Sequence, residues 1–221
     1  MSYSVKEIFY SLQGEGARTG RPAVFCRFSG CNLWSGEEKH RQDAECRFCD
    51  TDFVGCDGVG GGKFADAAAL ASNLASYWPL SGRGEPYVVF TGGEPLLQLD
   101  TALIEAMHEA GFEVAVESNG TLAAPQGIDW LCISPKGRSQ LVQTSGDELK
   151  LVFPQEGIDP ADYLELEFGQ FYLQPMDRSA LPAQGEQDAD TAESAQRCTE
   201  YCLQHPSWKL SLQTHKFLGI R

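Results

Sequence analysis

Apolar residues recur along the chain in short, compact runs separated by polar, charged or glycine-rich stretches. Residues 5–10 (VKEIFY), 23–29 (AVFCRFS) and 87–91 (YVVFT) have the length and make-up of strands. Residues 112–117 (FEVAVE), 130–133 (WLCI), 148–153 (ELKLVF) and 171–173 (FYL) read the same way, and 208–213 (WKLSLQ) alternates as a closing strand. Between the strands a helical period appears: Phe64, Ala67, Ala68, Ala71, Leu74 and Trp78 share one face of a helix predicted over 64–77 and stopped by Pro79. A second helix starts at Pro95, whose missing N–H costs nothing in a first turn, carries Leu103, Ile104 and Met107 inward, and ends at Gly111. The acidic stretch 184–193 predicts a surface loop feeding a helix capped near Asp190 or Thr191, on which Cys198 and Cys202 read as packing residues.

Strands that alternate with helices or long connections imply a mostly parallel sheet, here in one domain spanning 1–221. Every strand runs into a polar or glycine-rich tip, and in parallel α/β architectures ligands sit at the carboxyl ends of strands. The first tip, 11–16 (SLQGEG), leaves Gln13 and Glu15 facing either a pocket or solvent. In the strand over 23–29, Cys26 reads as a small buried hydrophobe, whereas Arg27 needs an anion or carboxylate partner. The glycine run after Cys56 is not a phosphate loop, since Phe64 follows Lys63 where that motif needs Ser or Thr; a flexible hinge is expected instead.

Composition narrows the partners. With 31 acidic against 17 basic residues, net −14, the chain is an unpromising binder of nucleic acid or of a membrane surface. Charges in the opening MSYSVKEIFY and the lack of any long apolar stretch predict a cytoplasmic protein. Eight cysteines in a reducing compartment then point to metal or redox chemistry before disulfides.

Three of those cysteines stand in residues 29–52: Cys31, fourteen residues, Cys46, two residues, Cys49. Three thiolates suit a [4Fe–4S] cube with one iron left open. Zinc is equally compatible with the spacing, closed by Cys56 as a fourth ligand. The intervening NLWSGEEKHRQDAE reads as a solvated excursion, with His40 a surface histidine.

Taken in order, LQGEG, CRFCDT, TGGEP, ESNGT, SPK, QPMD and QTHK span nearly the whole chain and resemble the radical S-adenosylmethionine enzymes, specifically the 7-carboxy-7-deazaguanine synthases of queuosine biosynthesis. The chain departs from the superfamily's usual three-and-two cysteine spacing, a variation also found in some synthases. The resemblance implies an incomplete parallel α/β barrel with an extended cluster-binding loop, a [4Fe–4S] cluster on Cys31, Cys46 and Cys49, and S-adenosylmethionine bound at its open iron. It assigns cofactor contacts to Phe48, Cys49, Asp50, Gly92, Gly93 and Glu94, and on later tips to Ser134, Pro135, Lys136, Gln174, Pro175, Met176 and Asp177. Thr51 matches a Mg²⁺ ligand with Asp50 adjacent, in keeping with that ion's preference for a few protein oxygens beside water and substrate.

The implied lyase reaction contracts a 6-carboxy-tetrahydropterin to a 7-carboxy-7-deazaguanine with loss of ammonia, in a homodimer fed by a reductant such as flavodoxin. An anionic substrate entering a chain of net −14 needs local positive charge, for which Arg27 and Mg²⁺ are the candidates. Its aminopyrimidinone edge presents N–H donors that suit Gln13, Glu15 and Glu117; Leu12, Gly14, Thr91 and His215 complete the implied substrate contacts. A radical activase acting on a partner protein, or a zinc or electron-transfer protein, are the alternative readings.

Overall fold

The computed structural model of the chain describes residues 2–80, 84–177 and 187–221, with side chains described in the last segment from residue 191. The elements in chain order are β1 (Tyr3–Leu12), β2 (Pro22–Phe28), β3 (Gly62–Phe64), α1 (Ala67–Ala75), β4 (Tyr87–Gly92) and α2 (Thr101–Glu109). There follow β5 (Glu113–Ser118), β6 (Trp130–Ile133), β7 (Ser145–Phe153), β8 (Glu167–Pro175), α3 (Gln187–Gln204), β9 (Trp208–Leu210) and α4 (Thr214–Leu218). The strands form one unclosed sheet in the order β3-β1-β2-β4-β5-β6-β7-β8-β9. It is parallel from β2 to β9. Only β1 runs against its neighbours β2 and β3, so the expected parallel sheet carries an antiparallel border.

Period-two alternation gives the sheet two unlike faces. Val24, Cys26 and Phe28 of β2, Val88 and Phe90 of β4, and Val114 and Val116 of β5 are buried in the main core with Leu70 and Leu74 of α1 and Leu103, Ile104 and Met107 of α2. Each such fully buried side chain contributes about 1.5–3 kcal/mol, so this face holds the fold together. The opposite face is apolar only at its base, where Phe25, Tyr87, Val89 and Ala115 pack. Two residues further along the same strands, that face presents Arg27, Thr91 and Glu117. The second face is therefore a floor below and a polar surface above.

The helices are shorter than the hydrophobic period suggested. Phe64 belongs to β3, paired with Tyr3, and α1 begins only after Asp66, whose carboxylate accepts the Ala69 N–H at 2.9 Å. Asp66 is a strong N-cap that overrides the continuing apolar period. Pro95 opens a separate one-turn 3₁₀ segment, Pro95–Leu97; α2 starts later, where Asp100 accepts the Leu103 N–H at 3.0 Å. The expected hinge after Cys56 is pinned to β1: Gly58 N–H donates to Lys6 O at 2.9 Å and Ile8 N–H to Val59 O at 2.8 Å. The acidic loop expected before α3 lies mostly outside the described residues, and α3 itself starts ahead of Asp190. Cys198 is buried in the main core and Cys202 packs against it, as expected for packing residues.

Candidate active site

The polar half of the concave face, the strand tips and the cysteine segment enclose a cavity of about 690 Å³. Of the cluster, cofactor, Mg²⁺ and substrate residues that the resemblance implied, all but Glu94 and Pro135 line it. Those two are buried behind its wall.

Cys31 leaves the end of β2, and the tip of β4 is pressed against the same point. Glu94 N–H donates to Gly30 O at 2.9 Å. A Cβ at Gly92 would overlap Phe28 O, and one at Gly93 would overlap Gly30 O, so both positions require glycine. Glu94 then locks this tip to the next one. Its carboxylate accepts the Leu96 N–H at 2.9 Å, the Ser118 hydroxyl at 2.8 Å and the Asn119 N–H at 2.8 Å. Burial pushes the Glu94 carboxyl up, against the pull of those three donors. The GGE sequence thus sets the wall's backbone, with the glutamate side chain turned away from the cavity.

Cys46 and Cys49 share a tight turn, and the closeness of the two thiols pulls Cys49 down to about 6 and, with burial, pushes Cys46 up. The Leu33 N–H points at Cys31 Sγ at 3.4 Å. All three thiols line the cavity; Cys56 does not, and its Sγ lies 3.5 Å from Ser29 Oγ. Among the described residues no three Cys, His, Asp or Glu side chains surround a single ion position. A tetrahedral zinc site closed by Cys56 would need such convergence. A cube does not, since each thiolate binds its own iron. The donor set fits a cluster.

The segment between Cys31 and Cys46 is more than a solvated excursion. Trp34, Ala44 and Phe53 form a small core of their own, against which Cys31 and Cys49 pack. Trp34 and Phe53 meet edge to face at 5.6 Å. The Arg41 guanidinium lies 4.2 Å over the Trp34 ring and donates to the carbonyls of Arg47 (2.9 Å) and Cys49 (3.0 Å). His40 is exposed, as expected.

Across the cavity, Arg27 finds a carboxylate on the neighbouring strand: its Nε donates to Glu7 Oε1 at 2.9 Å, Glu7 being its register partner in β1. Thr91 pairs with Arg27 from β4. Gln13 folds back on its own tip, accepting from Gly14 N at 2.8 Å, and reaches Glu117 Oε1 with its amide at 3.1 Å. His215 covers Gly14. Burial lowers the affinity of the His215 ring for a proton.

Two ammonium groups brace the cavity, and one of them, Lys150, lies outside every motif quoted from the sequence. Lys150 of β7 is buried between Glu15 and Glu117, 2.9 Å from each. Lys216 bridges Asp50 at 2.8 Å and Asp177 at 2.6 Å, fastening the cysteine segment to the tip of β8. Gln213 donates to Glu15 at 2.9 Å. Lys136 turns back onto Ser134 O at 2.8 Å, and Gln174 accepts the Ser211 hydroxyl at 3.0 Å. An alternating strand with a lone lysine, ELKLVF, is the one signal that could have found Lys150.

No family model matches the chain. Curated relatives match over its whole length. A protein of Bradyrhizobium diazoefficiens named 7-carboxy-7-deazaguanine synthase is 58% identical over 221 residues, covering all of both chains. One of Bordetella pertussis with the same name is 59% identical over 220 residues, again covering both. The crystal structure of QueE from Escherichia coli superposes with a TM-score of 0.67 at 25% identity, covering 97% of this chain and 95% of that one.

Proposed function

Because the chain belongs to the 7-carboxy-7-deazaguanine synthase family, we propose that it is a lyase that converts 6-carboxy-5,6,7,8-tetrahydropterin to 7-carboxy-7-deazaguanine in queuosine biosynthesis. The observation that carries this reading is one cavity lined by Cys31, Cys46 and Cys49 together with Arg27, Glu15 and Glu117. A [4Fe–4S] cluster with S-adenosylmethionine supplies the radical chemistry when bound.

The protein's own residues do the rest. Cys31, Cys46 and Cys49 hold the cluster, and the apolar ring of Phe48, between the close pair, offers a surface for the adenine. Gly92 and Gly93 would offer bare backbone to the cofactor's amino acid group, and Ser134, Lys136 and Gln174 through Asp177, which line the same cavity, would hold the rest of it. Arg27, steadied by Glu7, meets the substrate carboxylate. Glu15, Glu117 and Gln13 accept from the aminopyrimidinone edge. The Thr51 hydroxyl on the cavity wall is a ligand for Mg²⁺, beside Asp50. Exposed Phe217 and Leu218 on α4 offer apolar surface to a second copy in a homodimer. Among the described residues no helix is long and apolar enough to cross a membrane. The enzyme's place is the cytoplasm, where a reductant such as flavodoxin serves it.

The test is an anaerobic assay of the reconstituted protein with the carboxy-tetrahydropterin, S-adenosylmethionine, Mg²⁺ and a strong reductant, followed by mass. Product lighter by one ammonia is expected. Cofactor cleavage without that product, but with a radical on an added protein, would favour an activase instead.

A further inference from the structure

Lys150 rises from β7 on the concave face with its side chain 4% exposed, and its Nζ stands 2.9 Å from Glu15 Oε2 and 2.9 Å from Glu117 Oε2. The other oxygen of each carboxylate takes a glutamine amide. Gln213 donates to Glu15 Oε1 at 2.9 Å and Gln13 to Glu117 Oε1 at 3.1 Å. The result is two carboxylates about one ammonium, each clamped at both oxygens. An ionised carboxylate has roughly four lone-pair sites, so each keeps about two for a ligand.

Two carboxylates this close cannot both stay ionised without a cation between them. The other titratable groups around Lys150 do not provide one. Burial raises the pKa of Cys132 on β6 and of Glu148 on β7, and an acid supplies no positive charge in either protonation state. Tyr172, the register partner on β8, is a buried phenol. His215 on α4 is held towards its neutral form by burial. Lys150 supplies the charge.

We propose that Lys150 is a positioning residue that keeps Glu15 and Glu117 ionised together as a two-carboxylate acceptor, and thereby selects ligands presenting adjacent N–H donors, as a 2-aminopyrimidinone does, over 2-oxo analogues. The ligand named here rests on the function proposed above; the charge balance does not. Lys150 itself need not touch the ligand. Without it, the two carboxylates share a proton, and a protonated carboxyl donates where the ligand needs an acceptor. A 2-oxo analogue, which presents a carbonyl at that place, then gains what the 2-amino ligand loses.

The experiment titrates the reconstituted protein anaerobically with 6-carboxypterin and with its 2,4-dioxo counterpart, in wild type, Lys150→Met and Lys150→Arg. Wild type and Lys150→Arg should prefer the pterin, with affinity flat over about pH 5.5–7, below the range in which the pterin ring loses its own N–H proton. In Lys150→Met the preference should fall by about tenfold or more, and pterin affinity should rise with pH as the shared proton leaves. A merely structural lysine would give a flat profile and an unchanged preference, and that result overturns the proposal. Denaturation of Lys150→Met beside Lys150→Met/Glu117→Gln reads the same charge balance without a ligand. Deleting one carboxylate should restore stability or folding to the Lys150→Met protein, and a double variant no more stable than the single one overturns the proposal. If wild type bound neither compound, the functional reading would fall while this second comparison still judged Lys150.

Discussion

The ring of His215 lies directly against Gly14, where a Cβ would overlap its Nδ1 and Cγ. The contact is reinforced by the Thr214 N–H, which donates to Gly14 O at 2.9 Å. Gly14→Ala must therefore displace the histidine from the cavity wall. Overpacking of this kind costs about 1–3 kcal/mol. Chemical denaturation should show that loss, and His215→Ala placed on top of Gly14→Ala should recover most of it. Substrate affinity should fall in both variants.

Cys31, Cys46 and Cys49 line the cavity while Cys56 stands outside its lining. Replacing any of the first three by Ala should abolish the brown colour and the iron content of anaerobically purified protein. Cys56→Ala should keep both, together with turnover. Loss of iron in Cys56→Ala would sink the three-ligand assignment.

Arg41 ties the insertion to the cysteine turn through the carbonyls of Arg47 and Cys49. Arg41→Ala removes the two hydrogen bonds to those carbonyls, the ion pair with Glu38 at 2.8 Å and a guanidinium–indole contact, yet no cluster ligand. The cluster should still form but should be lost to a chelator roughly tenfold faster, a change of about 1–2 kcal/mol. Iron release followed by absorbance measures it.

Arg27 spends its Nε on Glu7, and the rest of its fork remains to meet an anion. Arg27→Lys keeps the charge and loses the fork. Substrate affinity should drop by about tenfold, while cofactor cleavage without substrate stays near wild type. An equal fall in that uncoupled cleavage would move Arg27 to the cofactor side.

With Thr51 as the proposed ligand, its single hydroxyl would hold Mg²⁺ weakly, which would make the substrate carboxylate an essential part of the metal site. Metal and substrate then stabilise each other by one coupling free energy. Thr51→Ala should raise the Mg²⁺ needed for half-maximal turnover and weaken substrate binding only when Mg²⁺ is present. Equal weakening in metal-free buffer would make Thr51 a cap of the turn and nothing more.

The strands were legible because buried parallel strands are compact apolar runs, as at Tyr87 to Phe90 and Trp130 to Ile133. Their tips could be named as a site because the parallel order brings carboxyl ends together. The helix starts were misplaced because an apolar period says nothing of where a cap such as Asp66 or Asp100 will interrupt it. Arg27 announced that it needed a carboxylate, but only strand register identified Glu7. Lys150 was hidden for a related reason. A lysine in an alternating strand faces solvent or interior according to which side of the sheet is concave, and no local pattern encodes that. The insertion looked solvated because its charges outnumber Trp34 and Ala44, the two residues that give it a core.

The last wall of the cavity joins distant parts of the chain. Hydrogen bonds that link Ser211, Gln213 and Thr214 with the tip of β1 span 195, 198 and 200 positions. Closing so long a loop is thermodynamically mild, since each doubling of length adds only about 0.6 kcal/mol. Its burden falls on speed, because distant pairings form slowly. The cysteine segment instead settles through near neighbours: Leu33 on Cys31, Leu33 with Glu45, and Arg41 on Cys49. On contact order alone, the three thiols are expected to take their places before the wall closed by Ser211, Gln213 and Thr214.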